Sequence, residues 1–243
     1  MAETQDTRTL RWSWLGRRSY GPTFELQEEI RRKIKDGEDA ERFLLLEHDP
    51  VFTLGRNASE EDVVADPEWL KAQGVEVFES NRGGQVTYHG PSQLVGYPIV
   101  NLSPDRRDIG KYVRDLQEVI IRTAADFGVE AHRRDGKEFI GVWVGDRKIA
   151  SIGVHLSRWV TIHGFALNVT TNLSHFNGIV ACGLKDVTMT AMVEHTREEV
   201  TPELMAPRAA AHFAEIFGRP LELEDAAALD SAFPDVDRGN AGT

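Results

Sequence analysis

The amino-acid sequence predicts a single domain of α/β class, α+β-like in arrangement, with mixed β-sheets flanked by helices. Two observations predict it. The middle of the chain is rich in β-branched and aromatic residues with interspersed glycines, and strongly helical segments lie before and after it. The alternation of a repeated βαβ unit is missing from that order. The size fits: 243 residues, 41% hydrophobic and 28% charged, is an ordinary globular balance and enough for one sizeable core.

The elements follow in order. Phe24, Leu26, Ile30 and Ile34 recur among charges over residues 23–35, an amphipathic helix that Gly37 can stop. The run at 43–46, FLLL, is a buried strand. Residues 94–100 form another strand. Residues 109–127 carry Ile109, Tyr112, Val113, Leu116, Val119, Ile120 and Phe127 on one helical stripe, with Asp108 as N-cap and Gly128 past the end. Residues 140–144, 148–156 and 160–169 are strands, and Gly145-Asp146 makes the first two a hairpin. A last helix over 202–217 has Thr201 as N-cap and Pro202 in its first turn. Residues 1–8 and 235–243 are expected to be flexible ends around a domain spanning 9–234.

Composition excludes several functions. No apolar run approaches the ~20 residues that span a bilayer. The polar start MAETQDTRTL is neither a secretory signal nor a transit peptide, so the expectation is a soluble, cytoplasmic protein without membrane association. One cysteine, Cys182, permits no internal disulfide and no cysteine-based zinc site. A formal charge of −11 argues against nucleic acid as partner. No metal site and no cofactor is expected.

Three segments carry chemistry. In RGGQVTYHGPSQLVGY, from Arg82 to Tyr97, Gly83 and Gly84 allow close approach of backbone to a ligand. Thr87, Tyr88 and His89 place polar groups at a strand edge, and Gly90-Pro91-Ser92 is a turn. By itself this segment equally describes a glycine-rich hairpin. In KIASIGVHLSRWVTIHGFALNV, Lys148 stands just past a turn at the start of an apolar strand, where a surface position is the ordinary expectation. Ser151, Ile152 and Gly153, and again Gly164, Phe165 and Ala166, are spots where backbone amides can meet a ligand; His163 reads equally as a hydrogen-bonded core residue. In IVACGL, Cys182 precedes Gly183, and a lone cysteine is more often a small buried hydrophobe than a nucleophile.

Together, in this order, RGGQVTYHGPSQLVGYP, the upstream HDPVFTLGR, and the downstream KIASIG, IHGFALNV and ACGL resemble the lipoyl(octanoyl) transferases over about residues 48–190. The RGGQVTYHG block is the specific part. The resemblance implies the α/β fold of the biotin protein ligase and lipoate ligase catalytic domains. It also implies Cys182 as the acyl-carrying nucleophile and Lys148 as its partner in a dyad. The acyl thioester would then lie against Arg82, Gly83, Gly84, Gln85, Val86, Thr87, Tyr88 and His89, with Ser151–Gly153 and Gly164–Ala166 as further substrate contacts. Ser92 replaces the family's usual glycine or histidine, and Ala181 its common proline, next to the motifs.

The implied reaction passes an octanoyl group from octanoyl-acyl carrier protein to Cys182, and then to a lysine of a lipoyl domain in the 2-oxoacid dehydrogenase complexes or of the glycine cleavage H protein. An ATP-dependent lipoate or biotin ligase, or a non-catalytic carrier-protein binding module, are the alternatives. Against a ligase, the chain has no GRGRxG-type phosphate loop, and His89 is followed by glycine. For docking of acidic substrates, two basic clusters suggest themselves: Arg106, Arg107, Lys111 and Arg114, and Arg133, Arg134 and Lys137.

Overall fold

The FLLL run sets the architecture. In the computed structural model, which describes residues 8–136, 139–180, 187–234 and 236, this run lies in strand β2 (Glu41–His48). Phe43 and Leu45 enter one hydrophobic cluster while Leu44 and Leu46 enter another on the opposite face. A strand apolar at every position is one buried on both sides.

Strand β1 (Leu10–Arg18), helix α1 (Tyr20–Asp36) and β2 are followed by β3 (Val51–Leu54), α2 (Pro67–Gln73), β4 (Glu76–Glu79) and β5 (Val86–His89). Then come β6 (Gln93–Ile99), α3 (Ile109–Ala125), β7 (Gly141–Val144), β8 (Arg147–Ser157) and β9 (Val160–Asn168). Helix α4 (Pro202–Phe217), β10 (Leu221–Leu223) and α5 (Ala226–Ala232) complete the described chain. Seven strands form a mixed sheet in the order β10-β1-β2-β6-β9-β8-β7, and three form a small sheet, β4-β3-β5. Tyr112, Leu116, Val119 and Ile120 of α3 pack with Ala209, Ala210 and Phe213 of α4 on one face of the large sheet. Leu26, Ile30 and Ile34 of α1 and Leu229 of α5 cover the other.

The expected elements are present, with shifts at their ends. Helix α1 begins three residues earlier than the apolar spacing suggests. It ends where Gly37 takes φ +74° and its amide reaches back to the last carbonyls. Asp108 caps α3 through a bond from the Lys111 amide, and α4 matches its expected span with Thr201 accepting from the Leu204 amide. The β7–β8 turn has Gly145 at φ +59°.

The glycine-rich segment is not a hairpin. Strand β5 pairs with β3 in the small sheet, whereas β6 pairs with β2 and β9 in the large one. The Gly90-Pro91-Ser92 turn therefore carries the chain from one sheet to the other. Ser92 sits at φ +63°, with its amide bonded to the Glu47 carboxylate and its carbonyl accepting from Thr170 N–H and Thr171 Oγ1. A glycine would adopt that φ without strain, so the departure noted in sequence falls at a position where backbone shape matters.

Among the described residues no helix is long and apolar enough to cross a membrane, and no group of three or more histidine, cysteine or acidic side chains is placed to hold a metal ion. The expectations for residues 1–7, 235 and 237–243 lie outside the described residues.

The β8–β9 connection has no turn signal in the sequence. Ser157 pairs with Val160, and the two residues between them, Arg158 and Trp159, both take positive φ, +50° and +66°. This is the conformation for which asparagine and glycine are preferred, and Trp159 offsets its strain by packing against the core. Arg158→Asn should stabilise the protein by ~0.5–1 kcal/mol. The thermal midpoint should then rise by ~1–4 °C, measurable by scanning calorimetry.

Candidate active site

Two of the three segments singled out in sequence, residues 82–97 and 148–169, meet at one cleft. It has a volume of about 440 Å³, inside the ~300–1,000 Å³ range of small-molecule sites, and lies between the loop entering β5 and strands β8 and β9. Arg82, Gly83, Gly84, Gln85, Val86, Thr87, His89, Lys148, Ser151, Ile152, Gly153, Gly164, Phe165 and Ala166 line it. Tyr88 does not. Strand alternation turns it to the other side of the small sheet, where it packs with Phe52 and Phe176 and its hydroxyl meets His175 Nδ1 at 2.6 Å. Cys182, with Ala181, lies outside the described residues.

The loop is held from both sides. Arg82, 6% exposed, bonds the Thr53 carbonyl and hydroxyl and the Gly83 carbonyl. The amides of Gly55, Arg56 and Asn57 donate to the carbonyls of Gln85, Arg82 and Gly84. The Gly83 amide donates to Val154 of β8 at 3.0 Å. A Cβ on Gly153 would stand 2.9 Å from the Gly83 carbonyl, so the loop's seat on β8 needs a glycine there. With the Gly83 amide taken, those of Gly84 and Gln85 have no hydrogen-bond acceptor among the described residues.

Lys148 is not a surface residue. It is 2% exposed, its Nζ lies 5.9 Å from the Trp143 ring centroid, and its stem crosses Gly141, where a Cβ would come within 2.5 Å of Cε. Its backbone bonds the stretch that follows Cys182 in sequence: Lys148 N–H donates to Thr188 O and Thr190 N–H to Lys148 O, both at 2.9 Å.

Of the cleft's floor, sequence alone singled out only His163. Tyr20, Tyr97 and His163 line it, and His48 lies beneath, bonded to Tyr97 Oη at 2.8 Å and to the Arg18 carbonyl at 2.9 Å. His48 falls in the HDPVFTLGR motif and Tyr97 in the VGYP motif, so their signal was the motif rather than their chemistry. These rings stack and tilt against one another: His89 lies 6.0 Å from Tyr20 and 5.7 Å from His48, and His163 lies 5.5 Å from Phe24. Burial holds all three histidines neutral. It brings His48 down to about 4 and, with Arg82 adding to it, His163 down to about 3; His89 is pushed well below the ordinary value by burial and by His48 and Arg82. His163 takes φ +58° and donates Nε2–H to Asn81 Oδ1 at 2.7 Å, while its Nδ1 meets no partner among the described residues.

Within the proposed docking clusters, three of the basic side chains form ion pairs with acidic residues of α3. Arg106 and Lys111 both close on Asp115, and Arg133 closes on Glu118. Arg134 lies over the rings of Phe139 and Trp143. Lys137 is outside the described residues.

A cleft of this size, walled by a glycine-rich loop and a buried lysine on a mixed sheet, has the build of a small-molecule site. The comparisons specify it further. The lipoyl protein ligase A/B catalytic domain model matches residues 19–214, and the chain belongs to that family. The curated octanoyltransferase of Solibacter usitatus is 52% identical over 206 residues, which is 84% of this chain and 90% of that one. That of Caldicellulosiruptor bescii is 45% identical over 211 residues, covering 86% and 92%. Among solved structures, a lipoate protein ligase of Thermoplasma acidophilum with bound lipoic acid superimposes with a TM-score of 0.75 at 17% identity, covering 93% of this chain and 95% of that one. The Aquifex aeolicus biotin protein ligase shares the fold more distantly, with a TM-score of 0.51 at 12% identity and coverage of 86% and 70%.

Two outcomes follow from the geometry. Arg82→Lys keeps the charge but loses the fork that ties the loop to Thr53; it should cost ~1–3 kcal/mol of stability by thermal denaturation and lower acyl-transfer activity. The second concerns acid. The three histidines are neutral when folded but protonate near ~6.5 when unfolded. Between pH 6.5 and about 4 the unfolded chain binds more protons, and stability falls as pH drops through that window. The slope approaches ~1.4 kcal/mol per pH unit for each ring. Denaturant titrations at pH 7, 6 and 5 check it, and a flat profile would contradict the neutral floor.

Proposed function

We propose that octanoyl transfer by this enzyme runs from octanoyl-acyl carrier protein, through a thioester on Cys182, to the ε-amine of a lysine on a lipoyl domain, with Lys148 moving the protons. The observation that carries this is the burial of Lys148 in the cleft wall of a chain that is 52% and 45% identical to curated octanoyltransferases. A lysine is seldom buried unless it is paired or used. Thr188 follows Cys182 by six residues and is bonded to Lys148, so covalent connectivity keeps the cysteine within ~20 Å of Thr188.

The chemistry balances over two steps. Lys148 favours the Cys182 thiolate, by its charge or by taking the proton. The sulfur attacks the thioester carbonyl, a new C–S bond forms, and the carrier's thiol leaves with a proton. The recipient amine then attacks the acyl-enzyme: a C–N bond forms, the C–S bond breaks, and the amine's proton passes by way of Lys148 to the cysteine sulfur. The first exchange is between thioesters, and the second makes an amide at the thioester's expense, so ATP is not required. The amides of Gly84 and Gln85 are suited to receive the developing oxyanion. Val113, Ile140, Val154 and Phe165 offer the acyl chain an apolar wall.

The enzyme mixed with octanoyl-acyl carrier protein should gain one octanoyl mass, labile to hydroxylamine and absent from Cys182→Ala. Lys148→Ala should fold normally and slow both half-reactions by ~10²–10⁴-fold. Lys148→Arg should rescue poorly, because a guanidinium is no base near neutral pH. Full transfer by Cys182→Ala, or transfer of free octanoate that needs ATP, would overturn the scheme.

A further inference from the structure

The GPSQLVGY and GFALNV motifs contribute two buried amides to which the reaction above gives no task. Gln93 of β6 and Asn168 of β9 stand opposite one another in the ladder, each 1% exposed. Gln93 Nε2 donates to Asn168 Oδ1 at 2.9 Å and to the Tyr88 carbonyl at 3.2 Å. Asn168 Nδ2 donates to the Thr190 carbonyl at 3.0 Å. Backbone carbonyls only accept, and this removes the usual ambiguity of amide orientation. Asn168 must turn Nδ2 to Thr190 and Oδ1 to Gln93. Gln93 must turn Nε2 to Tyr88 and Asn168, leaving Oε1 for His89 Nδ1 at 2.9 Å. An amide oxygen facing Nδ1 requires the proton to be on Nδ1, and the neutral ring then holds its lone pair on Nε2. His89 lines the cleft.

The other end of the same row reaches Lys148. Thr190, whose carbonyl Asn168 holds, donates its amide to the Lys148 carbonyl, and the Lys148 amide donates to Thr188. One hydrogen-bonded row thus crosses β6, β9 and β8, from a histidine in the cleft to the strand residue that presents the lysine.

We propose that Gln93 and Asn168 are positioning residues: they hold His89 as an Nε2 acceptor for an N–H of the recipient amine. The identity of the amine rests on the proposed function; the tautomer does not. The acyl thioester offers only acceptors, a carbonyl oxygen and a sulfur, which a lone pair in the cleft wall would repel. The incoming amine offers N–H. His89 stays neutral among the groups that face it, Tyr20 from α1, His48 from β2, Arg82 from the loop and His163 from β9, so it accepts from the amine without removing its proton.

The test uses the full chain. In ¹⁵N-histidine-labelled protein, His89 should show a protonated Nδ1 and a bare Nε2, and Gln93→Leu should shift it toward the Nε2–H form. With loading and transfer measured separately, Gln93→Leu and Asn168→Leu should slow transfer to a lipoyl domain about tenfold and raise KM for it, roughly the effect of one hydrogen bond. Loading from octanoyl-acyl carrier protein should change much less. Gln93→Glu keeps the shape and covers the case in which the leucine variants do not fold. Its carboxylate favours imidazolium at His89, so transfer alone should acquire an acidic limb in its pH profile. An Nε2–H tautomer in the wild type would overturn the proposal. So would equal losses in loading and transfer, or a loss confined to loading, which would put the acceptor on the carrier's pantetheine arm. Wild type that takes up no acyl group at all would instead refute the Cys182 scheme and leave the tautomer result standing.

Discussion

The antiparallel pairing of β6 with β9 is the constraint on which the rest depends. It joins the β10-β1-β2 half of the large sheet to the β9-β8-β7 meander. The two strands approach closely: a Cβ on Gly164 would stand 2.2 Å from the Gly96 carbonyl, and one on Gly96 would stand 2.5 Å from the Phe165 ring. Neither glycine is spared for flexibility. Each is there because backbone or ring occupies the space a side chain would need. With this register set, Gln93 meets Asn168, Ser151 meets Ala166, and the glycine-rich loop finds β8 as its seat.

Much of this was legible in the sequence. The helical stripe from Ile109 and the Thr201-Pro202 start of α4 specify their elements locally, because cap chemistry and 3.6-residue spacing act within a few residues. Strand β1 was not legible: LRWSWLGRR interleaves arginines with tryptophans, and its pairing partners lie more than 200 residues away in β10 as well as nearby in β2. The Arg158-Trp159 turn was invisible for the opposite reason, since its residues contradict their conformation and tertiary packing overrides them. The two-sheet path of the glycine-rich segment was hidden because a turn reads the same whether its flanking strands pair with each other or with different partners.

For the site, motif resemblance located residues but not directions. It placed Tyr88 with its neighbours, and only the alternation of a real strand turns it to the far side. It named Lys148, yet composition alone would have left that residue on the surface; burial against Trp143 and Gly141 makes it distinctive. Gln93 and Asn168 lie in the quoted motifs without an evident task, since an amide reveals its purpose only when both of its ends are seen to be committed.

The edge of the large sheet bears on how the chain is made. Residues 221–223 lie beside residues 10–12, the Ser13 hydroxyl bonds the Glu224 carbonyl, and the Glu224 carboxylate grips Arg42 of β2 in a buried, two-pronged pair. A chain emerging amino end first from the ribosome has β5 through β9, and with them the walls of the cleft, well before these contacts exist. Until the last segment arrives, β1 has an open edge and Arg42 lacks that carboxylate. Vectorial synthesis therefore closes this fold by stitching its tail to its head, and the open β1 edge is the surface a nascent chain must keep from pairing with the wrong strand.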